Sequence, residues 1–280
     1  MKSLSSIYLG LFLINCLVWY WVAVGKSHDY LNLYFMNVGQ GDSALAILPG
    51  GAKILFDGGP DKSLLSGLGK ILPSTDRRID LIILSHPQAD HFTGLISLLD
   101  RYDIGYFIWN GRQSETESWK SLTSSLRLKR VNTLHLMDGD SIKYRESEIK
   151  FLSPDETELK DTELNNTVLV TELFSGGIKT LFTGDIGFDV ERHLAEKYDT
   201  NLDILQVAHH GSKYSSGDEF LREATPAVSV IQVGKNTYGH PTKEALDRLA
   251  SVGSAIYRND KDGTVHIEAY KGKLNIFKEK

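Results

Sequence analysis

Cysteine is almost missing from this sequence: Cys16 is the only one in 280 residues. No disulfide can form within the chain, and no disulfide-linked partner is expected of the part beyond residue 27. Thiolates cannot build a metal site either, so any metal must be held by His, Asp, Glu or amide oxygens. A basic excess is missing as well. With 31 Lys and Arg against 36 Asp and Glu, the formal charge is −5, or about −7 once the positive charges of Lys2 and Lys26 are set aside. That excludes a broad basic surface of the kind that tracks duplex nucleic acid. A narrow cleft whose metal ions supply positive charge locally is still allowed. Short internal repeats and low-complexity blocks are also missing, and the 41% hydrophobic content is enough for a substantial core.

Long apolar runs are missing, with one exception. Residues 7–24, IYLGLFLINCLVWYWVAV, are uncharged and flanked by Lys2 and Lys26. The run approaches the about 20 residues of a bilayer span, and Trp19, Tyr20 and Trp21 suit an interfacial belt. It predicts one N-terminal transmembrane helix, a membrane anchor within residues 1–27, followed by a domain at 28–280. A cleaved signal peptide is a second reading, with Ala23 and Gly25 as small residues near the cleavage point, although the run exceeds a usual signal core. A buried helix of the following domain is a third. Flanking charge is too slight to fix orientation. The expectation is a membrane-anchored hydrolase on the extracytoplasmic side, secreted if the segment is cleaved.

Beyond the polar linker GKSHD (25–29), strand patterns alternate with helical ones. Strands are expected at 30–38, 43–48, 52–57 and 79–86, the last too continuously apolar to be half exposed. Helical spacing follows at 93–102 and 115–129, with strands near 131–136 and 148–152, and an acidic solvated loop at 154–163. Further strands are expected at 167–174, 179–185, 203–210 and 227–234, and helices at 188–197, 217–224 and 243–251. Three strand-like segments close the chain. Two clusters of strands, each followed by helices, predict an α/β (α+β) fold with two sheets face to face and helices outside.

Chemistry-bearing residues recur at the ends of these strands: Asp57, then His86, Asp90 and His91, then Asp185, then His209 and His210, then His240. Any one of these histidines alone reads as a surface or satisfied core group. Together they resemble what a divalent cation needs, imidazole nitrogens and carboxylate oxygens from a rigid frame with room for water. Asp185, at a strand end in FTGD, is placed to bridge two ions.

The motifs SHPQADH (85–91), FTGD (182–185) and HHGS (209–212) resemble those of the metallo-β-lactamase fold. The wider set MNVGQGDS, FDGG, AHHGSKYSS, YGHP and YRNDKDG is similar to the C-terminal hydrolase domain of the ComEC family of DNA-uptake membrane proteins, from Tyr34 to about Ile267. The resemblance implies a four-layer αββα sandwich with a metal site at one edge. It places His86, Gln88, Asp90, His91, Asp185 and His210 at metal positions, holding one or two divalent ions, Zn²⁺ or Mn²⁺. It gives Asp90, His209 and His240 catalytic roles, with His209 as proton donor or second-site ligand. His209 and His210 could exchange roles. His240 could contact phosphate or a leaving group, or cap the helix that follows. Asp57 would orient the ligand turn from behind, and Asp42 would do likewise or close an Asx-turn. Lys213, Ser212 and Ser215 could grip an anion or form a helix-entry turn.

Two departures weaken the first site. Gln88 stands where the family carries His or an acid, and a histidine expected before TVLV is replaced near Asn165 or Asn166. Amide oxygens are harder than imidazole and suit Mn²⁺ comparatively better than zinc. The second site, Asp90, His91, Asp185 and His210, keeps its charge. Three functions stay in view: a phosphodiesterase or nuclease acting on single-stranded DNA at the membrane, a hydrolase of a small phosphodiester such as phosphocholine-bearing wall polymer, and a non-catalytic binding module on the same fold. With one apolar run, an uptake pore is not expected of these residues by themselves. Interleaved aromatic and basic residues for single strands are not evident along the sequence.

Overall fold

The computed structural model describes residues 2–24 and 29–279. Helix α1 (Lys2–Val24) leaves Leu4, Phe12 and Trp19 more than half exposed, so it is not a buried helix of the domain. Among the described residues no helix is long and apolar enough to cross a membrane. The transmembrane helix expected at 7–24 is therefore not supported; over its described side chains α1 is an exposed apolar helix. The expected boundary at residues 27 and 28 and the Gly25 of the cleavage reading lie outside the described residues.

The remaining elements run β1 (Leu31–Phe35), β2 (Ala44–Ile47), β3 (Lys53–Phe56), α2 (Ser63–Ile71), β4 (Arg78–Ile83), α3 (Ala89–Leu99), β5 (Asp103–Trp109), α4 (Glu117–Leu128) and β6 (Asn132–His135). Then come β7 (Ser141–Tyr144), β8 (Ser147–Ser153), β9 (Val170–Ser175), β10 (Ile178–Phe182), α5 (Phe188–Lys197), β11 (Ile204–Gln206), α6 (Asp218–Ala224) and β12 (Val228–Ile231). The chain ends with α7 (Lys243–Ser251), β13 (Ala255–Arg258), α8 (Asn259–Asp262), β14 (Val265–Tyr270) and β15 (Lys273–Lys278). One sheet has the order β15-β14-β1-β2-β3-β4-β5-β6 and the other β13-β12-β11-β10-β9-β8-β7.

Apolar side chains from the two inner faces, among them Leu33, Phe35, Phe56, Phe151, Phe182 and Val230, form the central core. On the first sheet's outer face, Leu64, Leu95 and Trp119 of α2, α3 and α4 pack over Leu55 and Ile82. On the second, Leu194, Phe220 and Leu249 of α5, α6 and α7 cover Leu181, Leu205 and Ile231. This is the expected αββα order. Strands β3 to β6 run parallel, as do β10 to β13. Their carboxyl ends open onto one edge of the sandwich, where loops from several strands can converge.

Helix α3 begins at Ala89, four residues before the expected start. Asp90 and His91 therefore lie in its first turn, where a carboxylate is favoured by the unpaired amides. The helix is drawn close to the β3 turn: a Cβ on Gly94 would stand 2.1 Å from the Gly58 carbonyl oxygen, so only glycine fits. Four elements escape the periodicity, among them the short α8, which falls where only strand patterns are read. Helix α2 contains Gly67 and Gly69, poor helix formers, and is held by full burial of Leu64 and Leu68. Strands β5 and β7 lie in the stretch whose pattern is least regular.

The rings of Phe56 and Phe182 stack at 3.7 Å between centroids across the core. Phe182→Ala is expected to lower unfolding free energy by about 3–5 kcal/mol, measured by urea denaturation. A loss below about 1 kcal/mol would contradict this packing role.

Candidate metal centre

Five predicted residues meet at the open edge of the sandwich. Asp185 follows β10, His86 follows β4, Asp90 and His91 open α3, and His210 follows β11. One donor atom from each of Asp90, His91, Asp185 and His210 lies within 4.8 Å of every other. Asp185 is the hub. Its Oδ1 stands 3.4 Å from His91 Nε2 and 3.7 Å from His210 Nε2. Its Oδ2 stands 4.0 Å from His86 Nε2 and 3.9 Å from His209 Nε2.

Hydrogen bonds behind the imidazoles determine which nitrogen faces the cluster. The His91 Nδ1–H donates to Asp57 Oδ2 at 2.8 Å, and His210 Nδ1–H donates to the Gln232 carbonyl at 2.8 Å. Ser85 Oγ lies 2.7 Å from Asp57 Oδ2 and 2.9 Å from His86 Nδ1. A carboxylate only accepts, so the single hydroxyl hydrogen goes to Asp57 and Ser85 accepts from His86 Nδ1–H. All three rings thus turn Nε2 inward. His86 Nε2, His91 Nε2 and Asp185 Oδ1 are buried with no hydrogen-bond partner. Such groups are costly unless something pairs them, and their donor chemistry fits a divalent cation.

Protonation follows from burial and charge. Burial, helped by the neighbouring His91, lowers His86 to about 4, so this imidazole keeps its lone pair at neutral pH. Burial opposes charge on His91 and His210, but the Asp185 carboxylate foremost raises both well above the ordinary histidine value. Burial would raise Asp185, yet the charges of His91 and His210 hold it well below the usual carboxylate range. The same contest leaves Asp90 at about 2: burial would raise it, but the hydrogen bond from His210 and the charges of His91 and His210 together outweigh that. A cation entering the cluster takes over the role of those imidazole protons.

The β11–α6 turn separates the two adjacent histidines. Both adopt left-handed backbone, with φ 51° for His209 and 55° for His210, at about 1–3 kcal/mol each for non-glycine residues. His210 points inward and is buried, while the His209 side chain is 33% exposed at the cleft mouth. That arrangement gives His210 the inner position.

The cleft, about 520 Å³, is lined by Asp90, Asp185, His209, His210, Gln88, Asn165, Tyr238 and His240 among others. Gln88 stands at the N-cap position of α3 without a side-chain capping bond, and its Nε2 donates to Asn165 Oδ1 at 2.9 Å. Asn165 thus stands beside Gln88 at the cleft, whereas Asn166 donates to Asp161. His86 lies on the same side, its Nε2 4.0 Å from Asp185 Oδ2.

His240 borders the mouth, its ring 5.7 Å from that of His209. The helix it was expected to cap is capped by Thr242 instead, whose hydroxyl accepts from Ala245 N–H. Ser212 and Ser215 do not face the cleft as anion grips: Ser215 Oγ donates to the Ala208 carbonyl, and Ser212 Oγ accepts from Tyr214 N–H. Asp42 closes no Asx-turn on its own chain. It is buried behind His210, its Oδ2 accepting from Gln206 Nε2. Its Oδ1 stands 3.3 Å from His210 Nδ1 without a hydrogen bond, since that N–H is used by Gln232.

Sequence reading missed Ser85, Gln206 and Gln232. The available signal was polar residues interrupting the ends of apolar strands. Another acidic group, Asp155, Glu158 and His193, is taken up by local backbone: Asp155 Oδ1 accepts from the Thr157 and Glu158 amides.

The sequence profile of the metallo-beta-lactamase superfamily matches residues 36–235. Over 262 residues the chain is 28% identical to ComE operon protein 3 of Bacillus subtilis (strain 168), covering 86% of this chain and 33% of that protein. Competence protein ComA of Neisseria gonorrhoeae is 28% identical over 260 residues, with 86% and 33% covered. The chain therefore spans about a third of the length of these curated relatives. Among solved structures, the metallo-beta-lactamase fold protein YhfI from Bacillus subtilis aligns with a TM-score of 0.57 at 13% identity, covering 88% of this chain and 99% of that one. That likeness concerns the fold.

Two measurements examine the centre. Asp57→Asn should weaken divalent-ion affinity by about 10–100-fold through misorientation of His91, read by titration calorimetry; unchanged affinity would contradict that role. Gln88→His should raise the zinc retained per chain in elemental analysis. Unchanged stoichiometry would place residue 88 outside the coordination sphere.

Proposed function

Because this chain belongs to the metallo-beta-lactamase superfamily, we propose that its edge cluster is a phosphodiesterase centre acting on DNA near a membrane. The observation that carries this reading is the buried Asp185 carboxylate with imidazole nitrogens of His86, His91, His209 and His210 between 3.4 and 4.0 Å away. Similarity to competence proteins supports DNA as the ester.

Asp90, His91, Asp185 and His210 would hold the principal divalent ion, and His86 with Gln88 a second, weaker one. When bound, such an ion supplies a Lewis acid for a phosphoryl oxygen and lowers the pKa of water. The chain's own residues do the rest. Asp57 and the Gln232 carbonyl lock the imidazoles in one tautomer and orientation. Asp90, partly exposed beside His210, accepts a hydrogen bond from the attacking water and orients it. His209, at the mouth, gives a proton to the departing alkoxide oxygen. Burial foremost, with the charges of His209 and His210, lowers the pKa of His240. Neutral at physiological pH, His240 hydrogen-bonds the ester.

The N-terminal segment is proposed as a membrane anchor with the cleft on the extracytoplasmic side. Strand β1 starts at Leu31, paired with Ala269, and its far end, Phe35, paired with Val265, leads towards Asp42. The acidic net charge favours a second substrate class, a small phosphodiester such as a phosphocholine ester, over long duplex DNA.

The full chain in neutral detergent, supplied with Mn²⁺ or Zn²⁺, should cleave single-stranded DNA, and Asp185→Ala should reduce cleavage to the buffer blank with the unfolding midpoint retained. Turnover of phosphocholine esters but not DNA would favour the second class. Neither turnover, in a chain that retains its metal, would refute the phosphodiesterase reading.

A further inference from the structure

Tyr214 and Tyr238 are 65% and 73% exposed, and each sits on a loop that borders the metal cleft. Tyr238 lines the cleft itself, its ring 5.9 Å from that of His240 at an interplanar angle of 33°. Tyr214 follows His210 by four residues, and its carbonyl accepts from the Phe188 amide, just beyond Asp185. Each loop also presents an exposed lysine, Lys213 or Lys235. The Lys213 ammonium lies 5.0 Å from the centre of the Tyr214 ring.

Neither loop is slack. Arg248 donates to the carbonyls of Lys213, Ser215 and Ser216. Asn236 donates to the carbonyls of Gly234 and His240 and accepts from the amides of Tyr238 and His240. The Thr242 amide donates to the Gly211 carbonyl at 2.9 Å, tying the two loops together. Two polar side chains thus hold two large rings out in water, with no core for them to cover. A ring fixed in this way loses little freedom when a flat ligand stacks on it.

We propose that Tyr214 and Tyr238, with Lys213 and Lys235, form a stacking rim that seats a single-stranded polynucleotide across the mouth of the metal cleft. The inference deepens the phosphodiesterase reading and rests on it for the identity of the cleft. Bases stack on the tyrosine faces, which every base can do, and the lysines meet the intervening phosphates. A duplex keeps its bases stacked inside and cannot use the rings. The preference for unpaired strands therefore arises from the rim and needs no broad basic surface, consistent with the acidic net charge.

The test measures anisotropy of a fluorescein-labelled twelve-base oligo(dT) with the full chain in neutral detergent at low salt, with EDTA present to prevent cleavage. Tyr214→Ala and Tyr238→Ala should each weaken binding about tenfold, whereas Tyr238→Phe, which keeps the ring, should bind as the unaltered chain does. Tyr270→Ala is the control. Tyr270 pairs with Lys271 at 5.0 Å in the same chemistry, but at the end of β14 away from the cleft, and its loss should leave binding unchanged. Equal binding by the Tyr214 and Tyr238 variants, no binding at all, or equal affinity for a twelve-base-pair duplex would overturn the proposal. Hydrolysis of bis(p-nitrophenyl) phosphate by the unaltered chain with Mn²⁺ separates the two readings, since that ester is too small to need the rim. Turnover without tyrosine-dependent binding overturns the rim alone, and tyrosine-dependent binding without turnover overturns the phosphodiesterase alone.

Discussion

The site depends on one electrostatic constraint: a carboxylate buried at the meeting point of two sheets must be compensated. Asp185 has almost no contact with solvent, and its Oδ1 finds no hydrogen bond in the protein. An isolated buried charge of this kind is costly by several kcal/mol. Imidazoles surround it; those of His86, His91 and His210 have their outer nitrogens committed elsewhere, and the inner nitrogens of His86 and His91 have no hydrogen-bond partner. Protons can balance the charge in part, and a divalent ion balances it while also pairing the inner nitrogens. The same arrangement that makes the cluster costly without a cation makes it a strong ligand for one.

The scaffold supports this constraint through backbone as well as side chains. Asp57, His209 and His210 all lie at positive φ, a conformation that non-glycine residues adopt only where the surroundings impose it. Each of the three stands at or just beyond the carboxyl end of a parallel strand. There the change of direction lets one residue point behind the cluster and its neighbour point into it. The apolar core between the sheets and the helices on both outer faces hold those strand ends in register. The cost of the three turns is thereby spread over packing distant from the chemistry.

Much of this was legible in the sequence, and the reasons differ from residue to residue. His86, Asp90, His91, Asp185 and His210 could be grouped because they fall where apolar strand patterns stop. The two-sheet architecture followed from strand clusters separated by amphipathic helices. The roles of His209 and His210 were not legible, since they hang on the positive φ at both positions. Ser85, Gln206 and Gln232 act from behind through partners far away in sequence, and nothing local marks them. Helix α2 was hidden by its glycines, which the fold tolerates because Leu64 and Leu68 are buried. Aromatic and basic residues looked scattered along the chain, and only the pinning of two loops by Arg248 and Asn236 brings them to one mouth.

The cluster is unequal in its two halves. Asp90, His91, Asp185 and His210 supply two carboxylates and two imidazoles, while the other half has His86 and amides already engaged with each other. The account therefore requires tight occupancy beside Asp185 Oδ1 and weaker occupancy towards Gln88. The most direct measurement is anomalous X-ray diffraction from crystals of the chain grown with Mn²⁺ or Zn²⁺. The expected result is a strong anomalous peak within bonding distance of Asp185 Oδ1, His91 Nε2 and His210 Nε2, with a weaker peak or none beside His86. An anomalous map without a peak among those atoms at saturating metal, with the side chains in the arrangement described, would contradict the account.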